Sequence, residues 1–173
     1  MLEKTAKITS SSPEFSMWLN PEYGAAMQEL GIHMDGVRQA QARLARFAPL
    51  LIELFPELEC TQGLAESPLL PVQTPSLWGV DSSHGSFWVK ADHQLAVAGS
   101  IKARGGFHEV LEFAEKIADQ HGLLHHEDAY VHLNTAEARQ VFSQYEVAVG
   151  STGNLGMSIG MMAAALGFNA TVH

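Results

Sequence analysis

"YEVAVGSTGNLGMSIGMMAAALGFNATVH", residues 145–173, decides the fold. It opens with the alternating, β-branched "YEVAVGS", breaks at "STGN", runs on as the apolar "LGMSIGMMAAALG" and resumes as "FNATVH". The alternation predicts a strand, the glycines in a short polar tract predict a tight turn, and the apolar run closed by Gly167 predicts a helix. Strand, turn, helix, strand is a βαβ unit, which implies a parallel sheet in an α/β fold. The apolar run is too short to span a bilayer and reads as a buried helix.

Working back from this unit, residues 135–144 predict a short helix, and "QHGLLHHEDAYVHL" before it a polar connection. Phe107, Val110, Leu111, Ala114, Ile117 and Ala118 recur at helical spacing, with Glu109, Glu112 and Glu115 expected to face water. Ser100 is the expected N-cap of that helix. "SFWVKA" at 86–91 predicts a strand, and the prolines of "ESPLLPVQTPS" predict an extended connection before it. Asp35 is expected to cap a helix over "GVRQAQARLARFAPLLIELF", with Pro49 kinking or dividing it and Pro56 ending it. Pro13, Pro21, Gly24 and Gly31 mark residues 1–34 as a lightly structured lead-in to residues 35–173.

Composition narrows the function. Net charge is −9, and Arg139 is the sole Lys or Arg after Lys116, so there is no basic patch for nucleic acid. Cys60 is the single cysteine, which excludes an intrachain disulfide and suits a reducing compartment. The opening "MLEKTAKITSSSPEF" lacks the apolar core of a secretory signal, so the cytoplasm is the expected location and no membrane partner is expected.

Two stretches carry chemistry. In "VAGSIKARGG", residues 97–106, Lys102 stands at a strand-to-helix junction, where the first backbone N–H groups of a helix are free for an anion. Gly99, Gly105 and Gly106 strip bulk from both sides of it. A surface lysine needs no such setting, whereas a lysine that must approach a reactive carbonyl as a neutral amine does. In "GSTGNLG", residues 150–156, the turn's N–H groups can face an anion, with Thr152 and Asn154 adding side-chain contacts. Taken alone, that turn also suits a nucleotide-binding Rossmann unit, although its glycines are spaced G-x-x-G-x-x-G.

The pairing decides. "GSIKARGG" followed about fifty residues later by strand–"GSTGNLG"–helix resembles the pyridoxal-phosphate enzymes of the tryptophan-synthase-β fold, a three-layer α/β architecture. Within that group it resembles the D-serine dehydratases, through "ARLARFAP", "LFPE", "GSIKARGGFHEVLEFAEKIA" and "FSQYEVAVGSTGNLGMSIG". The resemblance implies that Lys102 carries pyridoxal 5'-phosphate, that Asn154 contacts the ring hydroxyl, and that Ser151, Thr152 and Gly153 receive the substrate carboxylate. It implies α,β-elimination of D-serine to pyruvate and ammonia. It also implies that only the N-terminal portion of the fold is present, because the family's phosphate loop and its partner for the ring nitrogen lie downstream. Ala96 departs from the proline expected before the lysine.

Other readings stay open at this point: an L-serine or L-threonine dehydratase, a non-catalytic remnant, or a nucleotide-binding domain. The oligomeric state is left open, a monomer included. No metal is expected. His121 and His125 are four apart and lie near His126, His132, Glu127 and Asp128, but Gly122 breaks the helix they would need.

Overall fold

The computed structural model describes residues 18–21, 23–24, 33–73, 79, 83, 85–124 and 130–173. The chain divides into two compact units, Met1–Met34 and Asp35–His173. In the first, the described residues include a turn in which the Tyr23 N–H donates to the Asn20 carbonyl at 3.1 Å.

α1, Met34–Leu54, lies in the second unit from Asp35 onward and buries Phe47, Leu50 and Leu51. Pro49 lies inside this helix and does not divide it. The structure also differs from expectation at Asp35, which sits in the first turn and pairs with Arg38 at 2.9 Å. Pro56 opens a 3₁₀ turn, Pro56–Thr61, where its missing N–H costs no hydrogen bond. Gly63 must be glycine: its φ is +81°, and a Cβ there would stand 2.3 Å from the Ala48 carbonyl oxygen.

The described part of the proline-bearing connection, residues 66–73, contains a strand; Thr74, Pro75 and Ser76 lie outside the described residues. Residues Leu69–Pro71 make β1, which pairs antiparallel with β2, Trp88–Lys90. The chain then turns through buried Ala91 and Leu95 into α2, Lys102–Gln120. Ala103, Phe107, Val110, Leu111, Ala114, Ile117 and Ala118 form the buried stripe of α2, in line with the sequence pattern. Residues 125–129, which include His125, His126, Glu127 and Asp128, lie outside the described residues.

Thr135 caps α3, Ala136–Phe142, its side chain accepting from the Ala138 N–H. The βαβ unit follows: β3, Glu146–Val149; α4, Asn154–Leu166; and β4, Asn169–Val172. β3 and β4 are parallel, with Glu146 opposite Asn169 and Val149 opposite Val172. Gly167 ends α4 at φ 102°, as the glycine stop predicts. α4 buries only one side, however, since Leu155, Met157 and Met161 are each more than a third exposed. Among the described residues, no helix is long and apolar enough to cross a membrane.

One backbone feature stands out between β2 and α2. Val97 has φ 70°, a left-handed conformation that costs a β-branched residue about 1–3 kcal/mol.

Candidate functional site

Lys102 is the first residue of α2, and its side chain is exposed. Ser100, two residues earlier, is buried and directs its hydroxyl at the helix start, accepting from the Lys102 N–H at 3.3 Å. The formal cap is Ile101, so Ser100 performs the capping expected of it from one position further back. At Gly105 a Cβ would meet nothing within 4 Å, which leaves open space beside the first turn.

The turn between β3 and α4 holds Ser151, Thr152 and Gly153, and Asn154 begins α4. Ser151 is half-buried, while Thr152, Gly153 and Asn154 are exposed. The turn folds tightly over its own helix, since a Cβ on Gly156 would lie 1.7 Å from the Ser151 carbonyl oxygen. Glycine at 156 therefore makes this turn possible. Gly150 has open space around its Cβ position, as Gly105 does. Gly153 caps α4 without a side-chain hydrogen bond, so no capping side chain takes up the first N–H groups of α4 there.

The helices that begin in the two stretches, α2 and α4, pack directly on each other. A Cβ on Gly106 would stand 3.1 Å from the Ser158 Cβ and 3.4 Å from the Ile159 Cγ1. Further along, the Phe113 ring lies 5.5 Å from that of Phe168, just past the end of α4. Both contacts advance toward the C-terminal ends, so the helices run side by side in the same direction. Lys102 lies four residues before Gly106, and Asn154 four before Ser158. The two N-termini thus emerge at one end, each about one turn beyond the contact. An exposed primary amine and an open, polar N-terminal turn share that end.

Sequence reasoning missed the polar network that holds α2 in place. Glu115 does not face water. Its carboxylate accepts from Arg43 Nε at 2.7 Å and from the Tyr130 hydroxyl at 3.0 Å, and it pairs with Arg46. Burial raises the pKa of the Glu115 carboxyl, but hydrogen bonds from Arg46, Arg43 and Tyr130 outweigh burial and hold it below the usual carboxylate range. Burial and the hydrogen bond to Glu115 push the Tyr130 hydroxyl above its usual value. The spacing of Arg43 and Arg46 on one helical face was the available signal, and it gave no partner.

A second network ties the β1–β2 pair to α2. Glu66 pairs with Lys90 and lies 3.7 Å from Arg104, two residues past Lys102. The hydrogen bond from Lys90, followed by that from the Ser67 N–H, holds the Glu66 carboxyl below the usual range. Ser67 in turn donates its hydroxyl to Asp92 Oδ1 at 2.6 Å. Among the described residues there is no group of three or more metal-ligating side chains. His121 instead sits 2.8 Å from the Tyr145 hydroxyl.

No family model matches this sequence. Individual relatives do. The chain is 54% identical over 167 residues to a protein of Acidovorax ebreus named "Probable D-serine dehydratase", a match covering 91% of this chain and 37% of that protein. Proteins of the same name from Cupriavidus pinatubonensis and Bacillus cereus are 49% and 46% identical, over 99% and 90% of this chain. The chain spans about 37% of the length of the Acidovorax and Bacillus relatives. It is therefore a relative of the D-serine dehydratases, related to them over nearly all of its own residues.

Proposed function

We propose that this chain carries the lysine and the substrate turn of a pyridoxal-phosphate-dependent D-serine dehydratase, with residues 35–173 forming part of its catalytic domain. One observation supports the reading above the rest: α2 packs against α4 in the same direction, so the Lys102 end and the 151–154 turn lie at the same end of the helix pair.

The residues fit such a group. A primary amine condenses with an aldehyde, a helix N-terminus favours an anion, and the open space at Gly105 and Gly150 gives a planar ring access. Lys102 would hold the cofactor through Nζ, and Asn154 would offer its amide to the ring hydroxyl. Ser151, Thr152 and Gly153 receive the substrate carboxylate, which orients the Cα–H bond. Lys102 Nζ would be the candidate acceptor of the Cα proton. Bound there, pyridoxal phosphate would supply the electron sink that lets D-serine lose its Cα proton and expel its hydroxyl; water then hydrolyses the released aminoacrylate to pyruvate and ammonia. The cytoplasm is the proposed location.

The test is to mix the chain with pyridoxal phosphate, reduce with borohydride and map the labelled peptides. Selective label at Lys102, lost in Lys102→Ala, supports the reading. Equal label at Lys90, Lys102 and Lys116 refutes it. Competition of D- and L-serine for the labelled site then separates a D-serine lyase from an L-serine or L-threonine one. Nucleotide binding that survives Lys102→Ala favours the nucleotide-domain alternative.

A further inference from the structure

We infer that Val97 is a positioning residue for Lys102: a strained turn at Val97 sets the direction in which α2 presents its amine. This rests on the reading of Lys102 given above.

Among the described residues, Gln62 and Val97 are the non-glycine residues with positive φ, at 55° and 70°. Gln62 is unbranched and closes a 3₁₀ turn, a place where left-handed backbone is ordinary. Val97 is β-branched, and it lies at the centre of a three-residue turn in which the Ala98 N–H donates to the Ala96 carbonyl at 2.9 Å. With φ positive, that is the rare and strained form of the γ-turn.

The strain persists because both flanks are anchored. Leu95 and Ala98 are buried, and the Gly99 N–H donates to the Leu95 carbonyl at 2.9 Å. Ser100 is buried against the start of α2, and Val97 itself packs on the core while half-exposed. Two residues later, at Gly99, the chain places a glycine in the same left-handed region. A glycine at 97 would remove the strain, whereas a valine there adds a side chain that packs and thereby locks the turn. Lys102 follows Val97 by five positions.

The experiment compares the full chain with Val97→Gly and Val97→Ile. Each is labelled with pyridoxal phosphate and borohydride, and label at Lys102 is divided by label at exposed Lys116. Amide exchange of Ala103 and Arg104, whose N–H groups donate to Ser100 and Ile101, is followed in parallel. The expected result for Val97→Gly is a ratio reduced roughly tenfold and faster exchange at 103–104, with no fall in melting temperature. Val97→Ile keeps the ratio of the parent.

An unchanged ratio in Val97→Gly overturns the inference. So does a reduced ratio that merely follows a lower melting temperature. If the parent labels Lys102 no better than Lys116, the cofactor reading fails instead. Exchange at 103–104 then decides the role of Val97: faster exchange in Val97→Gly upholds it, and unchanged exchange overturns it.

Discussion

Gly106 of α2 and Ser158 of α4 touch so closely that a Cβ on Gly106 would stand 3.1 Å from the Ser158 Cβ. Ser158 cannot withdraw, because it is fully buried and its hydroxyl donates to the Asn154 carbonyl at 2.8 Å. Gly106→Val is therefore expected to cost about 2 kcal/mol through overpacking. It should also lower the selective label at Lys102, since it wedges apart the helices that bring the site together. Denaturant melts and peptide mapping check the two effects.

Gly156→Ala is expected to be harsher. Its Cβ would fall on the Ser151 carbonyl oxygen, and backbone cannot rotate away as a side-chain end can. The turn at 151–153 has to move, at a cost of about 3 kcal/mol. A melting temperature equal to that of the parent would show that the turn does not pack on α4 as described.

Lys102→Ala should leave stability within about 0.5 kcal/mol, because the lysine side chain is exposed. The same substitution should abolish the borohydride-trapped label. A large loss of stability would mean that Lys102 has a structural role.

Stability should depend on pH through Glu115. The pKa of its carboxyl is depressed in the fold, so its contribution is fully present above the ordinary glutamate value of about 4.3 and is lost as pH falls through the lower folded value. Glu115→Gln removes that acid-side dependence and costs about 2 kcal/mol near neutral pH, by weakening the hydrogen bonds to Arg43, Arg46 and Tyr130. Melting temperature against pH for parent and variant is the measurement. Parallel curves for the two would refute the role of Glu115.

The sequence by itself determined the elements that local patterning controls. The βαβ unit of β3, α4 and β4, the stripe of α2 and the stop at Gly167 follow from periodicity and from the φ that glycine alone adopts freely. Both candidate stretches stood out too, because a lysine among glycines and a glycine turn before a helix are local signatures. Of the two outcomes expected at Pro49, a kink or a division, division did not occur, since α1 runs through it and buries Phe47, Leu50 and Leu51 on either side.

Only the tertiary structure decided what depends on partners far apart in the chain. Glu115 belonged by spacing to a solvated face, yet Arg43 and Tyr130 lie 72 and 15 residues from it and draw it in. The same-direction packing of α2 on α4 was equally out of reach, since it depends on Gly106 meeting Ser158. The left-handed turn at Val97 is strained locally and is held by the burial of its neighbours. Local sequence encodes conformations that are favourable on their own. A strained or long-range arrangement persists only because the folded surroundings offset its cost, and those exist only once the chain has folded.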